Sequence, residues 1–168
     1  MCIRDRNGDV TATANNVTLG GNVTLTADSV ITAAGTIGVT GSVDGAFDLT
    51  LAGTGGSDVS NTVGTTIVDL TVNDGALVAG VIDIDGNLSA SQNVSSDTGA
   101  ISVAGTATTT GGADITGATG VSVSGTSSLN GDVTATANNV TLGGNVTLTA
   151  DSVICLLYTS DAADEFMG

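Results

Sequence analysis

The chain has 168 residues, with 17 Asp plus Glu against 2 Lys plus Arg, a formal net charge of -15, and no Pro, His or Trp. That is one domain's worth of chain; there is no basic patch to neutralise phosphates, which excludes nucleic acid as a partner, and no stretch approaches the ~18 apolar residues of a membrane span. Leu, Ile, Val and Phe make up about a quarter of the residues, above the roughly one-fifth below which a charged chain stays disordered, so a packed core is expected.

Taken from the amino terminus, residues 1–6 stand apart. Arg4, Arg6, Cys2, Cys155, Met1, Met167, Tyr158 and Glu165 all fall within residues 1–6 or 155–168, and the interior contains none of these residue types. Such a break in composition marks foreign sequence. MCIRDR can be encoded by ATGTGTATAAGAGACAG plus one base, and the reverse complement of that string, read from its second base, encodes Cys-Leu-Leu-Tyr-Thr, the residues at Cys155–Thr159. Residues 1–6 and 155–168 therefore resemble translated sequencing adapter and are expected to pack poorly. The alternative, a disulfide tying Cys2 to Cys155, requires two unrelated segments to be encoded by complementary strands by chance. The interior, residues 7–154, is free of cysteine, so cysteine usage gives no redox compartment.

The interior reads as strand and turn. NVTLTA from Asn22, FDLTLA from Phe47, IVDLTV from Ile67, VIDIDG from Val81, AISVAG from Ala100 and VSVSG from Val121 alternate apolar with small polar residues, and Gly, Asn or Asp punctuates their ends. Alternation with period two predicts half-buried strands. The inward set is Val23, Leu25, Leu49, Leu51, Leu70, Val72, Ile82, Ile84, Ile101, Val103, Val121 and Val123. No segment carries a helical pattern.

Two repeats overlie this pattern. NGDVTATANNVTLGGNVTLTADSVI occurs at Asn7–Ile31 and, letter for letter, at Asn130–Ile154, an offset of 123 residues. A piece of a tandem array of 123-residue units has this form; a DNA assembly closed on itself gives the same string. A shorter period shows in ISVAGT from Ile101, VSVSGT from Val121 and VTLGGN from Val140, with steps of 20 and 19, and IGVTGS from Ile37 falls at the next step in the following unit. About 20 residues per turn gives roughly six turns per unit. Such a period predicts a solenoid whose turns stack to bury a core. A parallel β-helix is expected, with corners at Gly, Asn or Asp; the alternative is a β-sandwich, which would ordinarily recruit more aromatic core than the single interior Phe47.

GAFDLTLAGTGG from Gly45 and VGTTIVDLTVNDGALVAGVIDIDGNLSA from Val63 resemble the repeats of filamentous haemagglutinin-type adhesins and related β-strand-repeat surface proteins. The resemblance implies a right-handed parallel β-helical fibre, secreted to a bacterial cell surface across the outer membrane and used for adhesion or biofilm. Its partners would be a host or neighbouring-cell surface or the extracellular matrix, with self-stacking at uncapped ends. A surface-layer or matrix structural protein is the first alternative.

Chemistry is sparse. The interior lacks His, Cys, Lys, Arg, Tyr and Glu, leaving Asp, Ser and Thr, so no enzyme is expected and no catalytic, cofactor or metal residue is assigned. A carbohydrate-active β-helix would need paired carboxylates, for which Asp83 with Asp85 and Asp44 with Asp48 are the pairs to test. The expectation is that no pocket gathers polar groups, and a cleft lined by Asp83 and Asp85 would contradict it. Asp83-Ile84-Asp85-Gly86-Asn87 has part of a calcium loop, without the first Asp or the closing Glu. Loosely held calcium screening the charge is a further expectation. Thr11 with Thr13, Thr24 with Thr26 and Thr108 with Thr110 have strand spacing and ordinary β-propensity. The triplets starting at Asn16, Asn22, Asn87 and Asn93 fit the N-glycosylation pattern by composition, and Gly53, Gly55 and Gly56 form a bend without the context of a nucleotide site.

Overall fold

Alternating sequence leaves each strand one apolar edge, and here the strands bury it by stacking on their equivalents one turn away. The computed structural model describes residues 8–157, and among them every strand pairing is parallel. The fold is a β-solenoid of about seven turns, and no helix occurs among the described residues. The β-sandwich alternative is excluded, because a sandwich is built from antiparallel sheets.

Each turn contributes a strand to three faces. The first face is an eight-stranded sheet beginning with Val10–Ala12 and Ser29–Ala33 and ending with Ser127–Leu129 and Val146–Leu148. The second begins with Val17–Leu19 and Ile37–Val39 and ends with Val133–Ala135 and Ile154–Leu156. The third runs from Val23–Thr24 and Val43–Asp44 to Val121–Val123 and Val140–Leu142. Two long strands, Ser57–Ile67 and Leu77–Ile84, bend from the second face to the third without a break, with register shifts between Ala79 and Val81 and between Ile82 and Ile84. Glycine permits the second of these shifts, the bulge that follows Val63 on the third face. Gly64 has φ +85°, and a Cβ there would collide with the carbonyl oxygen of Asp83 in the next turn.

The core is a set of ladders running up the stack. On the first face Leu49, Leu70, Leu88, Ala107, Ser127 and Val146 lie in register, with steps of 18 to 21 residues. On the third, Val63, Ile82, Ile101, Val121 and Val140 do so, which places the Ile101, Val121 and Val140 repeats directly on one another. The irregular step from Asp69-Leu70 to Asn87-Leu88 is one short turn of 18 residues, with Leu70 still paired to Leu88. Of the expected inward residues all are buried except Val23, which is half-buried in the first turn. Each fully buried Val, Leu or Ile contributes about 1.5–3 kcal/mol, so stability accumulates turn by turn.

The long repeat does not close on a whole number of turns. Val10–Ala12 lies on the first face, yet the identical Val133–Ala135 lies on the second; Val17–Leu19 is on the second and its copy Val140–Leu142 on the third. The 123-residue step is thus six turns plus one face. Strand Ile154–Leu156 crosses the expected boundary at residue 154, with Cys155 half-buried and in register with Thr134, while Leu156 and Leu157 are exposed. The boundary at residues 1–6 and the remainder of 155–168 lie outside the described residues.

Candidate functional groove

Five aspartates and four asparagines among the described residues serve the backbone. At nine corners among the described residues an Asp or Asn stands immediately before a strand, and its side-chain oxygen accepts the N–H of the residue that precedes, one turn on, the partner of that strand's first residue. Asp9 takes the N–H of Val30, Asn16 that of Thr36, Asn22 that of Ser42 and Asp28 that of Asp48. Asp69 takes that of Asn87, Asn87 that of Thr106, Asn93 that of Asp114, Asp114 that of Asp132 and Asp132 that of Val153, at 2.7–3.1 Å throughout the series. These staples satisfy corner donors that the sheet ladders leave unpaired.

The Asn triplets have the same origin. Asn16, Asn22, Asn87 and Asn93 are all corner staples, followed by an inward apolar residue and then an outward Thr or Ser. A corner followed by a strand therefore generates the glycosylation-like string by itself.

The carboxylate pairs singled out by sequence go different ways. Asp83 stands half-buried on an outward column with Ser102, Ser122 and Thr141, and Asp85 is exposed just past the end of its strand. The side chain of Asp44 is occupied by Thr65 Oγ1 at 2.9 Å, by the Thr66 hydroxyl at 2.9 Å and N–H at 3.1 Å, and by the Gly45 N–H at 2.9 Å. Burial raises the Asp44 pKa, but these four donors outweigh it and hold the carboxyl below its ordinary value. Asp48 is exposed and donates its N–H to Asp28. The calcium-like segment has Asn87 committed to Asp69 and Thr106. Among the described residues no group of three or more Asp, Glu, His or Cys could hold a metal ion.

One surface feature was not expected. An open groove of about 410 Å³ lies where the first face turns into the second, bordered by Thr36, Thr54, Asp58, Asp74 and Gln92 and floored in part by Gly55 and Gly56. Neither Asp83 nor Asp85 lines it. Sequence inspection missed the convergence because its members sit on successive turns, and residues 16 to 20 apart become neighbours only once turns of unequal length are stacked. Asp74 also has φ +68°, in a left-handed turn that Asp tolerates better than most residues. The glycine bend of Gly53, Gly55 and Gly56 forms part of this corner, with Gly56 at φ +102°. The groove presents two carboxylates, two hydroxyls and one amide on exposed walls, which suits a hydroxyl-rich surface more than a reaction that needs a shielded proton carrier.

Threonines and serines stack in outward columns on all three faces, Ser95 with Thr116 and Thr134 on the second and Ser102 with Ser122 and Thr141 on the third. Thr50, Thr71, Ser89, Thr108, Ser128 and Thr147 stack in a single outward column of the first face. Two residues along, the outward series begins Thr11, Thr32, Ala52 and Asn73, so the second series is broken at Ala52. Comparison of the chain with protein-family models, with curated proteins and with solved structures finds no match in any of the three.

Proposed function

We propose that this chain is a structural and adhesive repeat segment of a large bacterial surface protein, extending a fibre and presenting its faces to a host or neighbouring cell or to extracellular matrix. The observation that supports this reading is an unbroken stack of turns in which the corner carboxylates and amides are consumed in stapling one turn to the next. Such a molecule spans distance and displays surface, and its residues are spent on rigidity. The location on a secreted surface fibre follows from the resemblance of the repeats and belongs to the same proposal.

The test is a binding assay with the chain immobilised on beads, set against cells, purified matrix glycoproteins and polysaccharides, with heat-unfolded chain as the control. Retention that depends on the folded chain, without release of new reducing ends, is the expected outcome. Absence of retention on every surface would replace adhesion with the surface-layer or matrix reading. The groove favours a second reading, a carbohydrate-active β-helix. Reducing ends released by the native chain and lost in the variants Asp58→Asn and Asp74→Asn would establish that reading instead.

A further inference from the structure

The staples are interrupted along the corner that leads into the second face. Turn by turn, the residue standing before the strand there is Asn16, Thr36, Gly56, Ala76, Asn93, Asp114 and Asp132. Asn16, Asn93, Asp114 and Asp132 each staple the turn that follows. Gly56 and Ala76 carry no acceptor in their side chains, so the N–H groups of Ala76 and Asn93, one turn on, go unstapled. Gly56 donates its own N–H at 2.8 Å to the Gly53 carbonyl of the same turn, which leaves Thr36 no staple to make. Thr36, Gly56 and Ala76 all line the groove. The groove is therefore the space that three missing staples leave, in the middle of the stack, with stapled turns on both sides. The polar groups around it are unpaired. Asp58, Asp74 and Gln92 make no hydrogen bond within the chain, whereas the corner groups above and below are taken up by staples. The lining also includes Ser57, 3 % exposed, whose hydroxyl has no partner.

We infer that this groove is a binding site for an amino sugar, a polyhydroxylated ring carrying a free protonated amine, within a polysaccharide. The balance of donors and acceptors selects that class. Ionised carboxylates only accept, the hydroxyls of Thr36 and Thr54 and the Gln92 amide both accept and donate, and the lining holds no cationic side chain. The ligand must bring donors, and a positive charge among them completes Asp58 and Asp74. Ammonium-to-carboxylate hydrogen bonds are about twice as strong as neutral ones, while ring hydroxyls meet the threonines and the amide. Sulfated, phosphorylated or carboxylated sugars are repelled, and the net charge of -15 extends that repulsion beyond the groove. The volume of about 410 Å³ lies within the range of about 300–1,000 Å³ common to small-molecule sites, and the open form lets a polymer pass across it. The inference rests on the adhesive reading, for which it supplies a ligand.

The experiment titrates the full chain with a glucosamine tetramer, with its fully N-acetylated counterpart and with spermidine, read by calorimetry at physiological salt. Two variants accompany it, Asp74→Asn and Ala76→Asn. The second writes the missing staple into the groove: Ala76 is exposed, and an Asn there gains the Asn93 N–H as its partner. Its melting temperature is therefore expected to equal or exceed that of the parent while its groove is filled. Binding of the glucosamine tetramer, about tenfold or more weaker binding of the acetylated tetramer, and loss of binding in both variants with an unchanged circular dichroism spectrum are the expected results. Equal affinity for the two tetramers would overturn the inference, as would spermidine binding as tightly as the glucosamine tetramer, since charge alone would then account for it. Undiminished binding in Ala76→Asn would also overturn it. Cells or matrix retained on the beads, with no binding of the tetramer in solution, would overturn the inference and leave the adhesive reading standing.

Discussion

Two serines show how finely the inward ladders are specified. Ser57 follows Ile37 and precedes Leu77 on the second face, and Ser127 follows Ala107 on the first; both hydroxyls are buried, and neither has a hydrogen-bond partner. Burying a hydroxyl without a partner costs about 1–3 kcal/mol, so Ser57→Ala is expected to stabilise the chain by about 1 kcal/mol, read as a higher denaturation midpoint in urea. A lower midpoint would mean that the hydroxyl is satisfied in solution. Asp44 works in the opposite sense. Its carboxyl is held below its ordinary value of 3.8, so it stabilises the fold above that pH, and the contribution is lost as pH falls through the folded-state value. Acid titration of the melting temperature should therefore fall more steeply below about pH 4 in the parent than in Asp44→Asn, since the variant has no proton to take up there.

At the scale of the element, strands of three residues are too short to hold register by their own ladders. The staples supply it, each tying a corner to the next. Removing one, as in Asn93→Ala, leaves the N–H of Asp114 without its acceptor and is expected to cost about 0.5–1.5 kcal/mol, the net worth of an ordinary hydrogen bond. The bulge after Val63 in strand Ser57–Ile67 is less forgiving. Gly64→Ala would force a side chain against the Asp83 carbonyl at positive φ, and a loss of about 2–4 kcal/mol is expected in the same urea titration, well beyond the staple variant. Both kinds of position were visible in the sequence as turn residues. Their distinct roles were not, because a staple and a bulge look alike until the partner one turn away is known.

At the scale of the whole molecule, charge and stacking oppose one another. The stack places like charges at equivalent corners of consecutive turns, as with Asp114 and Asp132, and no lysine lies anywhere in the chain to offset them. Raising ionic strength from about 0.01 M to 0.15 M shortens the Debye length from about 30 Å to 8 Å, so the melting temperature is expected to rise with sodium chloride. A melting temperature that ignores salt would show that the staples already neutralise the repulsion. The one-face offset of the repeat also has a consequence for a tandem array. Each 123-residue unit would present a given feature, such as the groove at Asp58 and Asp74, on the next face, and three units would bring it back to the first. A fibre built so has no privileged side, in keeping with the proposed adhesive role.

By itself the sequence determined the alternation that makes strands, the corner residues that end them and the mean spacing of about 20 residues that stacks them in parallel. Those properties are local: alternation sorts Leu49 and Leu51 inward against Thr50 outward whatever lies nearby. Only the tertiary structure decided which face each strand occupies, which turn covers it and which residues meet at the groove. The repeated string demonstrates the division. Its two copies share every side chain, yet one buries Leu25 on the turn that follows while the other leaves Leu148 open, and one begins on the first face while the other begins on the second. Face and burial depend on the summed lengths of all intervening turns and on the neighbour above and below. Neither quantity is contained in the string itself.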